Sequence, residues 1–297
     1  MQFRLTGILP ALLTPFTRGG AKVDYEKAGA FASTLADRGV AGLFVCGSTG
    51  EGLLMTLEER KRIAEEVIDV VGRRIKVVIQ TGCLDTSSTI ELTRHARDSG
   101  AHAVAVYTPA FYKYDDHALF AHFQRVAKAA PEIPLLLYNI PQYTGNGLSP
   151  MLIQELAEKV DSVVGMKDSS GDMAHLSRVM ASAPKGFTML NGADELCYQA
   201  YLTGAVGTVA MTANVVPELF QSIFDGVKAG KLNPALKAQR RLAEVMAALG
   251  HGQLISVYKE AIRLQGYDVG HVRPPQRELS PAEKKDLAKI LAKAGLI

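Results

Sequence analysis

Short runs rich in valine, isoleucine, leucine and alanine recur along the 297-residue chain, each closing on Gly, Pro, Asn, Ser or Thr. Eight are marked: Ile8–Leu13, Gly42–Cys46, Lys76–Gln80, Ala103–Tyr107, Pro134–Tyr138, Val163–Lys167, Phe187–Asn191 and Val206–Ala210. Helix-compatible sequence separates them, which is the pattern of repeated βα units. Their apolar character is continuous rather than alternating. Both faces of each strand are therefore expected to be buried, as in a parallel sheet covered by helices.

The intervening segments carry helix starts. Thr56-Leu-Glu-Glu59 reads as a capping box, Ser149-Pro150 sets a cap before proline at the first helical position, and Ser280-Pro-Ala-Glu283 combines both signals. Between the second and third strands, Leu57, Ile63, Val67 and Val71 recur near the helical period, with Glu58, Arg60, Glu65 and Glu66 at polar positions. That spacing predicts a helix lying on the sheet. Eight βα units predict an α/β fold, the (β/α)8 TIM barrel, with residues 1–216 as barrel core and 217–297 as the final barrel helix and a C-terminal helical extension. An open doubly wound sheet competes, but it commonly has fewer parallel strands and a glycine fingerprint after the first. Neither GxGxxG nor GxxxxGK[ST] occurs in the chain.

Barrel enzymes build their chemistry at the C-terminal ends of the strands. Here the second strand ends in Gly47-Ser-Thr-Gly-Glu51-Gly52, the fourth in Tyr107-Thr-Pro109 and the fifth in Tyr138-Asn-Ile-Pro141. The sixth ends in Lys167-Asp-Ser169, the seventh in Asn191-Gly-Ala-Asp-Glu195, and the eighth runs towards Thr212-Ala-Asn214. A lysine at the mouth of an apolar strand suits covalent catalysis, because a low-dielectric setting favours the neutral amine that attacks a carbonyl carbon. Taken singly, each group also has a plainer reading. Lys167 reads as a solvated loop charge, Tyr138 as a core aromatic, Asp194 and Glu195 as a helix N-terminal turn, and Glu51 as a structural acceptor. Gly-Ser-Thr-Gly offers two hydroxyls and a closely approachable backbone that suit a carboxylate; a plain turn and a nucleotide phosphate site are its other readings.

Composition narrows the partners. The net charge of +3 is spread along the chain with no long basic run and no tryptophan, so the footprint for nucleic acid or an anionic membrane is missing and small molecules are expected. No stretch approaches a transmembrane span, and the apolar Gly7–Phe16 segment contains Pro10 and Pro15 and lacks a basic leader, so it makes a poor signal peptide. Cys46, Cys83 and Cys197 are odd in number and widely separated, which suits a reducing compartment, the cytoplasm by default. The seven histidines are scattered without metal-ligand spacing, and no metal is expected.

Read together, GSTGE at 47–51, YNIP at 138–141 and GMKDSSGD at 165–172 resemble the dihydrodipicolinate synthase and N-acetylneuraminate lyase family. The resemblance spans almost the whole chain, from Thr14-Pro-Phe16 to Arg273-Pro-Pro275 and Leu279-Ser280. It implies a (β/α)8 barrel with a helical extension, commonly a homotetramer, that binds pyruvate covalently as a lysine imine and needs no metal or organic cofactor. On this sequence it makes Lys167 the imine nucleophile and Tyr138 the proton-handling residue, with Ser48 and Thr49 holding the pyruvyl carboxylate and taking part in proton transfer. Gly47, Ser169, Val209 and Thr212 are expected in the substrate pocket, with Asp194, Glu195 and Tyr143 facing the rest of the substrate. The chemistry agrees: a protonated imine is an electron sink for carbanion formation at the pyruvate methyl, and a placed phenol moves protons.

Two positions depart from the family pattern. Dihydrodipicolinate synthases typically carry, two residues after YNxP, an arginine that grips the carboxylate of aspartate semialdehyde; here Tyr143 offers one neutral hydroxyl in place of a charged fork. The usual relay tyrosine after the fourth strand aligns with Phe111, leaving Tyr112 or Tyr114 as candidate substitutes. Asn191-Gly-Ala-Asp194-Glu195 resembles the segment by which sialic acid lyases contact a polyhydroxylated tail. The expected function is a pyruvate-forming class I aldolase or lyase acting on a 2-keto-3-deoxy sugar acid or 4-hydroxy-2-oxo acid. The alternatives are dihydrodipicolinate synthase, sialic acid lyase, a keto-acid dehydratase or hydratase-aldolase, and a non-catalytic keto-acid-binding scaffold.

Overall fold

A computed structural model describes residues 5–297. Its strands are β1 (Gly7–Pro10), β2 (Gly42–Val45), β3 (Lys76–Gln80), β4 (Ala103–Tyr107), β5 (Leu135–Asn139), β6 (Val163–Asp168), β7 (Thr188–Asn191) and β8 (Gly207–Ala210). They form one parallel sheet in the order β1-β8-β7-β6-β5-β4-β3-β2. The ring closes between β1 and β2, where Ala41 N–H donates to the Ile8 carbonyl and Leu12 N–H to the Phe44 carbonyl, each at 2.9 Å. The fold is therefore the expected TIM barrel.

The helices between and after the strands are α1 (Tyr25–Asp37), α2 (Leu57–Val71), α3 (Thr86–Asp98), α4 (Asp116–Ala129), the single turn α5 (Pro141–Thr144), α6 (Pro150–Lys159), α7 (Met173–Ser182) and α8 (Cys197–Leu202). After β8 come α9 (Pro217–Lys228), α10 (Leu232–Ala248), α11 (Ile255–Leu264) and α12 (Pro281–Lys293), the helical C-terminal segment. The Thr56 and Ser280 capping boxes both form, and the Ser149 hydroxyl accepts from Leu152 N–H ahead of Pro150.

Several strand ends differ from the sequence reading, most by one residue, and two of them bear on the loops of the barrel mouth. Residues 11–13 lie outside β1: Ala11 N–H donates to the carbonyl of Ala210, the last residue of β8, at 2.8 Å, and beyond that point only an isolated bridge from Ala11 to Phe44 continues the ladder. β2 stops before Cys46, whose φ of 62° turns the chain into the Gly47–Gly50 loop. The α2 pattern holds except at Arg60, read as a polar surface position. Its side chain is buried beneath the loop after β3, and its guanidinium donates to Gln80 O at 2.7 Å, Gln80 Oε1 at 2.6 Å and Gly82 O at 3.1 Å.

Period-two alternation divides the apolar residues into two cores. Leu9, Phe44, Val78, Ala105, Leu136 and Leu190 fill the barrel interior, while Leu43, Val77, Val104, Leu137 and Met166 meet the helices. Tyr138 belongs to the interior set, and its strand partner is Lys167. The next rung pairs Asn139 with Asp168, whose side chains bond each other and the helix layer outside. Gly165 lets β6 approach β7 here, since a Cβ at this position would lie 2.2 Å from the Thr188 carbonyl oxygen.

Candidate active site

A cavity of about 750 Å3 opens at the C-terminal end of the barrel. Lys167 lies on its floor with 4 % of its surface exposed, brought there by the inward register of β6. Its Nζ donates to Tyr138 Oη at 3.1 Å and sits 4.2 Å from the ring centroids of both Phe44 and Tyr138. Phe44 and Tyr107 hold the Tyr138 ring by edge contacts, at centroid distances of 5.6 and 6.5 Å. An amine and a phenol in contact at the base of a concave, largely apolar site form an arrangement suited to nucleophilic attack coupled to proton transfer.

Gly47, Ser48 and Thr49 line the cavity beside this pair. Their loop is pinned from behind. Thr14 Oγ1 donates to the Gly50 carbonyl at 2.7 Å, and Glu51, in a left-handed conformation (φ 54°), accepts from Lys259 Nζ at 2.8 Å and from Arg273 N–H at 3.0 Å. Lys259 also donates to the Thr14 carbonyl at 2.6 Å. Burial pushes the Lys259 ammonium below its ordinary value, and the Glu51 carboxylate opposes that shift. The C-terminal segment thus holds the loop after β2, and Glu51 serves as the structural acceptor of its plainer reading.

On the other side, Ser169 and Val209 line the cavity close to Lys167. Gly192 packs closely against Ser169 and Lys167, where a Cβ would come 2.0 Å from Ser169 Oγ and 3.0 Å from Lys167 Cε. Asp194 and Glu195 open a 3-10 turn at the cavity wall, Asp194 buried and Glu195 exposed. Thr212 is not on the wall; it lies behind Asp194, to whose Oδ2 its backbone N–H donates at 2.9 Å. Tyr143, on α5, is 72 % exposed and reaches the rim. Phe111 and Tyr112 are 86 % and 67 % exposed, stack edge-on against each other and do not line the cavity of their own chain. Phe111 has no hydroxyl and cannot relay a proton.

Several lining residues were not legible as such. Tyr107, which the sequence marks only as a strand end, projects into the barrel with its hydroxyl buried and, among the described residues, without a partner, and burial raises its phenol well above the ordinary value. Gln80 and Gln142 supply amides. His251, Gln253 and Tyr258 come from the C-terminal segment, where helical periodicity marks Tyr258 only as a core position. The left-handed His251 (φ 52°) lies between two glycines at 250 and 252, the one local signal that this turn is special.

Burial drives the Asp194 carboxyl up from 3.8 to about 6; Thr212 opposes the shift, Glu195 adds to it and Lys167 counters it. A carboxyl whose folded-state pKa is raised contributes stability that is complete below its unfolded value and is lost as pH rises through the folded one. Two pKa units correspond to about 3 kcal/mol. Asp194→Asn is therefore expected to shrink the loss of thermal stability between pH 4 and pH 7.5. An unchanged difference in melting temperature between the two pH values would contradict this.

The fold is a TIM barrel, and the relatives it matches make the chain a lyase. The Dihydrodipicolinate synthetase family model matches residues 4–294, and the chain belongs to that family. It is 34% identical over 297 residues, 100% of its length and 99% of the relative's, to a 4-hydroxy-tetrahydrodipicolinate synthase of Methanopyrus kandleri. Among solved structures it resembles YagE, a prophage protein of E. coli K12 in complex with pyruvate, with TM-score 0.93, 33% identity, and 99% and 100% of the two chains covered. It also resembles a catalytic lysine mutant of the Ruminococcus gnavus sialic acid aldolase, with TM-score 0.92, 27% identity and coverage of 98% and 97%.

Proposed function

We propose that the protein is a class I, pyruvate-forming aldolase whose substrate is a 2-keto-3-deoxy sugar acid or a short 4-hydroxy-2-oxo acid with an uncharged tail. The Lys167–Tyr138 contact supports the chemistry. The neutral Lys167 amine attacks C2, and the carbinolamine so formed loses its hydroxyl as water with the Tyr138 proton, leaving a protonated imine beside the phenolate; the phenolate takes the C4 hydroxyl proton as the C3–C4 bond breaks to give an aldehyde and an enamine. Protonation of the enamine and hydrolysis release pyruvate. Ser48 and Thr49, which line the cavity beside Lys167, would hold the pyruvyl carboxylate, and no metal or organic cofactor enters these steps.

One observation carries the choice of tail. Among the described residues the cavity wall bears a single lysine, Lys167, and no arginine, whereas Asp194, Glu195, Gln142, Gln253 and Tyr258 offer hydrogen-bonding groups. A second carboxylate would enter with no lysine or arginine beyond Lys167 to meet it, which is costly in a partly desolvated site. Hydroxyls would find acceptors. The named synthase relatives keep 4-hydroxy-tetrahydrodipicolinate synthase as the second reading.

The two readings separate on the aldehyde condensed with pyruvate. A neutral hydroxyaldehyde is expected to exceed aspartate semialdehyde in kcat/KM by at least about tenfold, the scale of one charged contact. Tyr143→Arg, which restores a guanidinium at the rim, should move the ratio towards aspartate semialdehyde by a similar factor. A wild-type preference for aspartate semialdehyde would decide for the synthase. The same proposal places the enzyme in the cytoplasm as a homotetramer; sedimentation of a monomer at working concentration would contradict the assembly.

A further inference from the structure

The rung beyond the Lys167–Tyr138 pair carries a closed ring of polar contacts. Asn139 Nδ2 donates to Asp168 Oδ1 at 3.0 Å, and Asn139 Oδ1 accepts from Leu148 N–H at 3.1 Å. His175, on α7, completes it, with Nδ1 2.9 Å from Asp168 Oδ2 and Nε2 2.8 Å from the Leu148 carbonyl oxygen. Asp168 Oδ1 also accepts from Ser170 N–H at 2.9 Å. Asn139, Asp168 and His175 are all buried.

A peptide carbonyl only accepts, and so does a carboxylate, so each ring nitrogen of His175 faces an acceptor and needs its own proton. We propose that His175 is a positioning residue: an imidazolium clamped between Asp168 and Leu148, it fixes the β5–β6 rung that aligns Tyr138 with Lys167 and anchors the connection 140–148. That connection carries Gln142, Tyr143 and Thr144 to the cavity, and Gln142 Nε2 ties it to the Ser169 carbonyl at 2.7 Å. The inference rests on the aldolase reading for its catalytic consequence, but the charge of His175 is a property of the ring of contacts itself.

The groups acting on His175 are few. Asp168 faces it from β6, the neutral Leu148 carbonyl faces it from the β5–α6 connection, and Asp172 caps its own helix. Among the described residues, α6 and α8, which pack on α7, bring no other charge within ion-pairing distance. The bond to Asp168 raises the imidazole above its ordinary value against the opposing effect of burial. Burial disfavours ionised Asp168, yet the bonds from His175 and Ser170 outweigh it and hold the carboxyl below its ordinary value. Both shifts have the sign of a charged pair.

Histidine labelled with 15N in the whole enzyme reads the proposal directly. At pH 7 both ring nitrogens of His175, assigned by their loss in His175→Gln, are expected to carry protons. A single-proton neutral ring would overturn the clamp, and this readout does not depend on turnover. In His175→Gln, kcat should fall about tenfold while pyruvate is still trapped by borohydride, because the reacting groups are displaced rather than removed. Asp168→Asn in the same background should add little, as expected of two residues acting as one unit. Unchanged kcat in folded His175→Gln would refute the positioning role. Failure of the wild-type enzyme to trap pyruvate would instead overturn the aldolase reading and leave the measured charge of His175 to stand.

Discussion

Lys167→Ala is expected to abolish turnover, lowering kcat by on the order of 10⁴-fold or more, because the variant loses the covalent intermediate and the electron sink it supplies. No other lysine lines the cavity among the described residues to replace it. The fold should survive. Lys167 is buried, but its Nζ makes one hydrogen bond, to Tyr138, and takes part in no ion pair of the described residues, and the buried Asp194 that it helps to ionise can take up a proton in its absence. Measured with a panel of 2-keto-3-deoxy acids, substantial residual activity would remove the imine from the mechanism.

Tyr138→Phe should be nearly as damaging and differ in kind. The ring keeps its contacts with Phe44 and Tyr107 while the hydroxyl 3.1 Å from Lys167 is lost. Proton transfer by a placed acid–base group contributes about 10²–10⁴-fold, and kcat is expected to fall within that range. The pyruvyl imine should still form. The informative result is this split between adduct and turnover; a variant with unchanged kcat would take Tyr138 out of the proton path. Tyr107, whose buried hydroxyl has no partner among the described residues and whose ring packs on that of Tyr138, is the phenol to test next.

Sequence pattern carried the fold far because a parallel barrel buries both faces of every strand. The eight apolar runs match the eight strands closely, and the caps at Thr56, Ser149 and Ser280 all form. Strand ends were less legible where tertiary context decides them, as at Cys46, whose left-handed turn is set by the loop pinned through Glu51 and Lys259. Residues at strand ends, such as Lys167, Tyr138 and Ser48, could be placed at the site by position alone. Tyr258 and Gln253 could not, because they reach the cavity from a segment distant in sequence and only the packing of α11 against the barrel mouth brings them there. Arg60 misled for a related reason: a long side chain at a polar helical position can turn inward when backbone carbonyls await it. The ring of Asn139, Asp168 and His175 joins two strands and a helix, and no periodicity signals such a contact.

The covalent claim is tested most directly by treating the wild-type protein with borohydride in the presence and absence of pyruvate, then measuring intact mass and mapping peptides. One reduced pyruvyl group per chain is expected, only when pyruvate is present, located on Lys167. A folded protein that gains no mass, or gains it on another lysine, would contradict it.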